Sequence, residues 1–296
     1  MKPKLNDLLE FSRENVKLEL GSAPEVCNFE GALGPSDLSI VKRKWISIED
    51  AIVVVADLKN STKLGLKKWA SSTATIYEAS TGNVARIFDS FEADFIAIQG
   101  DGAFAIFWGK NRVARALCSA ITVKTFGRDL VEQLESKWDS LPETGLKVGI
   151  ASGRLLAKKI GVPRRQEWQE PVWPGRAVNY AFKAAAAADR DELIVTKSVW
   201  DKINSNDFLR YSCGCGDATS DLWENKEIDK LPSDDKEASG MVLASSWCPN
   251  HGEDFCEAVL NGETKRKGLN TDRMKIALSK KKEKDRAAIR NRGRKF

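Results

Sequence analysis

Short apolar runs alternate along this chain with longer stretches of helical periodicity. Residues 51–58, AIVVVADL, are apolar at every position except Asp57, and such a run is typical of a buried central strand. DFIAI and AFAIFW surround the turn QGDG at 99–102 and predict a β-hairpin. GLKVGIAS at 145–152 predicts a further strand, and we expect GRLLAKKIG at 153–161 to be its hairpin mate.

Helices are predicted where apolar residues recur at helical spacing or where alanine is abundant. They cover residues 4–20, 63–90, 111–137, 176–189 and a short segment at 198–203, which follows a strand ELIVT. This order predicts an α+β or mixed α/β fold, a sandwich in which helices flank a mostly antiparallel central sheet. The polar and acidic segment 214–240 is predicted to be a linker or a long loop.

Composition and charge divide the chain further. Its 296 residues are 42% hydrophobic and include 9 Trp, which favours a folded core. The last 33 residues hold 14 Lys and Arg against 3 Asp and Glu, whereas the rest of the chain is net acidic. We interpret this basic tail as solvated, with contact to nucleic acid as the alternative. The predicted units are 1–44 (helix and connector), 45–205 (main domain), 206–263 (a small Cys-containing extension) and 264–296 (tail).

The sequence shows no sign of membrane insertion or export. No stretch approaches the roughly 18 apolar residues that span a bilayer, and the N-terminal residues lack the apolar core of a signal peptide. We therefore expect a cytoplasmic protein without membrane contact.

The distribution of chemically active side chains limits the mechanisms available. The chain contains one histidine, His251, which excludes Ser-His-Asp or Cys-His catalysis from the main domain. Asp57 ends a strand and Asp101 lies in a hairpin turn, so neighbouring strands would bring both carboxylates to one sheet edge. Each aspartate alone is also a common turn former. As a pair they favour Mg²⁺ or Mn²⁺, ions that typically serve phosphoryl transfer.

Four motifs, in order, resemble the catalytic domain of the class III nucleotidyl cyclases, the adenylate and guanylate cyclase family. VVVADLKNST resembles that family's first metal strand and loop, and QGDGAFAIF its hairpin with the second metal aspartate. GLKVGIASG resembles its strand with a Gly-rich turn, and GRAVNYAFKAAAAA its catalytic helix. The resemblance covers residues 45–205 and implies the cyclase sandwich fold for this catalytic domain.

The resemblance also implies a metal and phosphate site. Asp57 and Asp101, with the Leu58 carbonyl, would hold two metal ions per site that bind a nucleoside triphosphate. Backbone amides across Leu58 to Thr62 would cradle the phosphates. The residues assigned to nucleotide binding in this way are Asn60, Ser61 and Thr62, together with Arg164 and Arg165 from a loop where the family places a triphosphate-binding arginine.

The predicted catalytic helix carries the remaining implied roles. Asn179 would orient the ribose, and Lys183, one helical turn on, stands where most of the family has arginine. Lysine supplies the same positive charge as arginine but cannot form the paired, bidentate hydrogen bonds of a guanidinium group. In the family this helix and the metals come from different subunits, which implies a head-to-tail homodimer with two composite sites.

Two positions bear on the choice of base. Ala97 and Val172 stand where adenylate cyclases read adenine with Lys and Asp, and where guanylate cyclases use Glu and Cys. Neither side chain can form a hydrogen bond, so neither purine would be recognised in the usual way. This departure, the N-terminal helix and the Cys-containing extension resemble the bacterial pyrimidine cyclases of Pycsar anti-phage defence. The implied reaction converts CTP or UTP to cyclic CMP or cyclic UMP, and the choice between them stays open.

Two alternative functions remain at this stage. The chain could be a catalytically weak homologue that acts as a nucleotide sensor or scaffold, which Lys183 favours. It could also be a non-standard adenylate cyclase that reads adenine through backbone groups. Retention of both Asp57 and Asp101 favours an active enzyme, because two neighbouring carboxylates are costly to keep without a cation.

The extension contains a cluster of sulfur and imidazole ligands. YSCGCG and WCPNHGEDFC offer five of them where tetrahedral zinc needs four: Cys213, Cys215, Cys248, His251 and Cys256. A small structural zinc site and a set of ordinary reduced cysteines are both compatible with this spacing. Cys27 and Cys118 are expected in the core.

Overall fold

One sheet organises the computed structural model, which describes residues 4–29, 33–34, 37–38, 40, 43–66, 70–138, 142–216, 218–243, 245–267 and 269. Its strands are β1 (Glu25–Asn28), β2 (Lys44–Leu58), β3 (Phe95–Gln99), β4 (Gly102–Phe107), β5 (Leu146–Gly161), β6 (Gln169–Val172), β7 (Leu193–Val195), β8 (Trp223–Glu227) and β9 (Ser239–Leu243). Their order is β3-β4-β2-β5-β7-β9-β8, with β1 beside β2 and β6 beside β5. Only the β1–β2 and β5–β7 pairs are parallel among these strands, which confirms the mostly antiparallel sheet.

Helices flank the sheet, as the sequence predicts. They are α1 (Leu5–Leu20), α2 (Ser61–Leu66), α3 (Ala70–Tyr77), α4 (Asn83–Ser90), α5 (Arg112–Lys137), α6 (Arg176–Ala187), α7 (Lys197–Ile203), α8 (Asp207–Arg210) and α9 (Gly252–Leu260). The single helix expected over 63–90 is instead a series, in which one π-helical turn at Glu78–Gly82 joins α3 to α4. No helix among the described residues has the length and apolar character that would cross a membrane.

Strand β2 is buried on both sides, which explains its unbroken apolar run. Alternate residues of a strand point to opposite faces of the sheet. Ile52 and Val54 enter a core shared with α4, α5 and α9, whereas Val53 and Val55 enter a second core beneath α6. Both faces therefore exclude water from Ala51 to Ala56, and the polar residues of β2 lie toward its two ends, at Lys44, Ser47, Glu49, Asp50 and Asp57.

Two local predictions were wrong. Residues 153–161 do not fold back as a hairpin mate, because β5 continues through Gly153 and pairs with β2 from Leu146 to Ala157. The antiparallel mate of its outer end is β6. The segment 214–240 is not simply a linker, since it contains β8 and the start of β9, which extend the sheet beyond β7.

The two ends of the chain differ in how they contact this body. Helix α1 buries none of its residues, and its apolar side chains are exposed. Of the basic tail, only residues 264–267 and 269 are described, and they include a backbone hydrogen bond from the Asp207 amide to the Thr264 carbonyl. The predicted contact between the tail and nucleic acid therefore falls mainly on residues outside the described ones.

Candidate active site

Asp57 and Asp101 lie at the same edge of the central sheet. Asp57 is the second-last residue of β2, and Asp101 lies in the two-residue turn between β3 and β4. Because Ala56 pairs with Ala103, the start of β4 runs directly beside Asp57. A Cβ atom on Gly102 would lie 2.8 Å from the Ala56 carbonyl oxygen and 3.3 Å from Asp57 Oδ1. Glycine at this position is what allows the Asp101 turn to approach Asp57 so closely.

A lysine supplies the cation beside the first carboxylate. Lys147 lies opposite Asp57 in the β2–β5 register, and its Nζ is 2.7 Å from Asp57 Oδ2. The lysine side chain is 17% exposed and that of Asp57 is 40% exposed, so the pair is partly shielded from water. Asp101 makes no side-chain hydrogen bond or ion pair within the described part of the chain. Sequence reasoning missed Lys147, although a lone polar position inside the buried run LKVGIA was a signal for it.

The loop after β2 was predicted to bind phosphates through its backbone amides. The Lys59 amide is not available for this, because it donates to the Gly145 carbonyl at 2.9 Å. Asn60 has a left-handed backbone (φ 59°), and its Nδ2 donates to the Glu143 carbonyl at 2.7 Å. Ser61 and Thr62 begin α2, where first-turn amides have no acceptor within the helix. The backbone amides that remain available to bind phosphate in this loop are therefore those of residues 60–62.

Ion pairs fix the position of this loop. Lys59 Nζ lies 3.1 Å from Glu143 Oε1 and also pairs with Asp189, just after α6. Hydrogen bonds to Asp189 and Glu143 raise the pKa of Lys59, and the same bond from Lys59 lowers the pKa of Asp189. The loop is thus tied to the C-terminal end of the helix that carries the other candidate residues.

Helix α6 sits unusually close to the sheet and presents its two candidate residues away from it. A Cβ atom on Gly149 of β5 would lie 2.2 Å from the Ala185 amide nitrogen, so the helix rests on the strand backbone. The buried face consists of Ala177, Ala181, Ala184 and Ala185. At roughly 100° per residue, Asn179 and Lys183 fall on the far side of the helix. Asn179 is exposed, Lys183 is half-buried, and neither has a side-chain partner in the described chain.

The two positions that are predicted to face the base border one aromatic cluster. Ala97 is half-buried on β3 and pairs with Phe104 of β4. Val172 ends β6 and precedes Trp173, whose ring lies 4.7 Å from that of Phe95. The exposed edge of this cluster is Phe182 of α6, 37% exposed and 5.6 Å from the Phe104 ring. The resulting surface is apolar at both positions where purine cyclases place a polar side chain.

Arg164 and Arg165 are not brought to the carboxylate pair of their own chain. They lie in the connection between β5 and β6, where Arg164 is exposed with φ 66° and Arg165 lies 6.0 Å from the Trp168 ring. Lys147 marks the opposite end of β5, a 16-residue strand that spans up to about 50 Å. A role in binding the triphosphate would therefore require a second subunit.

Four of the five predicted zinc ligands come together, and the fifth does not. The ligand atoms of Cys213, Cys215, Cys248 and His251 all lie within 4.8 Å of one another. Cys256 faces α5 instead, where the Cys118 thiol donates to its carbonyl at 3.8 Å. Cys118 is fully buried as predicted, whereas Cys27 is only half-buried on β1.

Comparison with known proteins identifies the family. The chain is 54% identical over 270 residues to a uridylate cyclase of Micromonospora echinofusca, covering 91% of this chain and 88% of that protein. It is 43% identical over 292 residues to a uridylate cyclase of Propioniciclava tarda, covering 95% and 94%. The chain belongs to the uridylate cyclase family. Its membership confirms the resemblance to pyrimidine cyclases that the four motifs and the two apolar base positions indicate.

Solved structures agree on the fold. The adenylyl cyclase CyaB of P. aeruginosa matches with a TM-score of 0.56 at 15% identity, over 68% of this chain and 96% of that one. The guanylyl cyclase Cya2 matches with a TM-score of 0.52 at 13% identity, over 67% and 92%. No family model matches the chain. At these identities the structural likeness concerns the fold alone, which is the class III cyclase sandwich.

Proposed function

We propose that this protein converts UTP to 3′,5′-cyclic UMP and pyrophosphate. The observation that carries the proposal is the 54% identity to a uridylate cyclase over 91% of the chain. The position of Asp57 and Asp101 at one sheet edge supports an active enzyme, because a catalytically inactive homologue would gain nothing from keeping two carboxylates together. The names of the relatives favour UTP over CTP, a choice that the motifs alone leave open.

The residues at the sheet edge fit divalent cations. Mg²⁺ and Mn²⁺ prefer oxygen ligands, and Asp57, Asp101 and the Leu58 carbonyl would supply them. Asp101 has no competing partner among the described residues, and Gly102 leaves its turn close to Asp57. Bound there, two ions would neutralise charge on the triphosphate and favour ionisation of the ribose 3′-hydroxyl.

The chain's own residues would position the nucleotide for ring closure. The 3′-oxygen attacks the α-phosphorus in line, the bond to pyrophosphate breaks, and the hydroxyl proton leaves to solvent or to the triphosphate. Asn179 would hold the ribose and Lys183 would stabilise charge on the phosphates, while amides of residues 60–62 contact the phosphate chain. Catalysis of this kind depends on positioning and charge stabilisation and needs no histidine.

A head-to-tail homodimer would complete each site. Asn179 and Lys183 face away from the sheet that carries Asp57 in the same chain, and Arg164 and Arg165 lie at the far end of β5. Each group therefore needs a second copy to reach the carboxylate pair. A cytoplasmic location and a role of the product as a second messenger in anti-phage defence are further parts of the proposal, supported by the motif resemblance.

Base selection would rest on an apolar surface that suits a small ring. Ala97 and Val172 offer no partner to the polar edge of adenine or guanine, and leaving such a group unpaired costs about 1 to 3 kcal/mol. We therefore expect turnover of a pyrimidine triphosphate to exceed that of either purine by at least about fivefold.

The test is a product assay with purified protein, Mn²⁺ and each of the four nucleoside triphosphates, with the products separated by mass. We expect UTP to give the most cyclic product. Asp57→Ala and Asp101→Ala should abolish it, while Asp129→Ala, which removes an exposed carboxylate of α5, should not. Cyclic AMP as the main product would overturn the pyrimidine assignment, and cyclic CMP would overturn the choice of UTP. Full activity in either metal-site variant would refute the mechanism.

A further inference from the structure

A compact set of four sulfur and imidazole ligands lies in the extension, outside the candidate active site. The Cys213 and Cys215 sulfurs are 3.1 Å apart, those of Cys215 and Cys248 are 3.4 Å apart, and Cys248 Sγ is 3.7 Å from His251 Nδ1. For zinc with bonds of about 2.3 Å to sulfur, the tetrahedral ligand spacing is about 3.8 Å. The three observed separations lie about 0.1 to 0.7 Å below this value, and no two of the four ligand atoms are more than 4.8 Å apart. They also exceed the roughly 2.05 Å of a disulfide, and all the cysteines are free.

We propose that Cys213, Cys215, Cys248 and His251 bind a structural zinc ion. Three thiolates and a neutral imidazole are a common ligand set of closed structural zinc sites, which keep no position open for substrate. His251 is the only histidine of the chain, and it falls within this cluster. Cys256 is not a ligand, because it lies against Cys118 on the side of α9 that faces α5.

The backbone conformation of the two loops directs the four ligand side chains toward one another. Gly214 adopts φ 78°, a left-handed conformation that lets the thiols of its two neighbours converge. In the second loop, the amides of His251 and Gly252 donate to the Cys248 carbonyl at 3.3 and 2.7 Å. This tight turn brings Cys248 and His251 together immediately before α9 begins.

Charge at the site also favours a metal centre. Zinc with three thiolates and a neutral imidazole carries a net charge of about −1. The Arg266 guanidinium donates to the carbonyls of Tyr211, Ser212 and Cys213, at 3.1, 2.8 and 3.4 Å. A cation is thus held against the loop that carries two of the thiolates, where it offsets this charge.

The ion would join two loops that are distant in sequence and brace α9 against the body. The second loop already contacts α5, since Trp247 Nε1 donates to Thr122 Oγ1 at 3.0 Å and its amide to Thr125 Oγ1 at 3.1 Å. The first loop follows α8, which packs against α9. Without the metal, this corner would depend on three adjacent thiols that offer one another little more than weak hydrogen bonds.

The test measures metal content and stability of the full-length protein, apart from its activity. Protein purified without chelator should contain about one zinc per chain by mass spectrometry, and removal of the metal should lower the Tm by about 5 °C or more. Cobalt in its place should give the intense visible absorption of a tetrahedral thiolate site. Wild-type protein that stays metal-free after zinc is supplied would overturn the proposal, and so would an octahedral cobalt spectrum.

Variants identify the ligands. Cys213→Ser and Cys248→Ser should lose the zinc, whereas Cys27→Ser, a distant half-buried cysteine, and Cys256→Ser should retain it. His251→Ala should lose it, and His251→Cys should recover it because four ligands are restored. Loss of zinc in Cys256→Ser with retention in His251→Ala would contradict the ligand set proposed here.

Discussion

A methyl group added to Gly149 would test how the sheet positions α6, the predicted catalytic helix. The Cβ of alanine at this position would lie 2.2 Å from the Ala185 amide nitrogen and 2.3 Å from the Ala181 carbonyl oxygen, whereas ordinary contact begins at 3.4 Å. Both partners are backbone atoms, so no side chain can rotate away. In Gly149→Ala, α6 must therefore move outward from β5 by about 1 Å.

The size of the expected losses in stability and in activity follows from that displacement. Overpacking of a well-filled core typically costs about 1 to 3 kcal/mol, which corresponds to a Tm lower by roughly 2 to 12 °C for a chain of this size. Because α6 carries Asn179, a shift of about 1 Å should reduce kcat by about 100-fold. Cyclic UMP production is measured alongside the Tm, at a temperature where both proteins are folded.

Gly82→Ala is the matched control. It adds the same methyl group in a helical conformation, with nothing within 4 Å of the new Cβ atom, and should leave both quantities nearly unchanged. If Gly149→Ala matched this control in stability, the close approach of α6 to β5 would be refuted. If the Tm fell while kcat stayed at the control value, the position of α6 would not govern catalysis.

Two further predictions concern the same site. Lys147→Met should lower the Mn²⁺ concentration for half-maximal activity by about fivefold, because a partly exposed ion pair worth about 1 kcal/mol no longer competes for Asp57; an unchanged value would show that the lysine does not oppose the metal. Mixing inactive Asp57→Ala with inactive Asn179→Ala should restore activity, since one composite site in a mixed dimer escapes both lesions. A mixture that stays inactive despite demonstrated subunit exchange would rule out the head-to-tail arrangement.

The carboxylate pair was predictable because local patterns determine it. The unbroken apolar run up to Asp57 predicts a central strand, and the hairpin that turns at Asp101 predicts its neighbours. In most sheets that pair these strands, the two carboxylates lie at the same edge. Lys147 was not predictable in this way, because its contact with Asp57 depends on the register between β2 and β5. That register is set by long-range packing, so the lone polar position at 147 signals a polar partner but does not identify it as Asp57.

Other differences between the sequence-based predictions and the structure also have physical causes. Gly153 resembles a turn residue, yet β5 passes through it because β2 pairs alongside on both sides of this position. Strands β8 and β9 escaped detection because β8, at the edge of the sheet, is mostly polar, with Trp223 its one deeply buried residue. Cys256 differs from the other cysteines through helix phase: five positions after His251, it lies on the side of α9 that packs against α5.

The small side chains of α6 connect the fold to the proposed chemistry. Its buried face is made of alanines, and the strand beneath it offers Gly149, so the helix approaches the sheet more closely than larger residues would permit. Because one side of the helix packs against the sheet, Asn179 and Lys183 lie on the opposite side and face away from Asp57 and Asp101 of the same chain. The contact that fixes the position of these two residues thus also keeps them from reaching a nucleotide bound at the carboxylates of their own chain. We therefore expect the height of α6 above β5 to set both the geometry of ribose binding and the fit between two subunits.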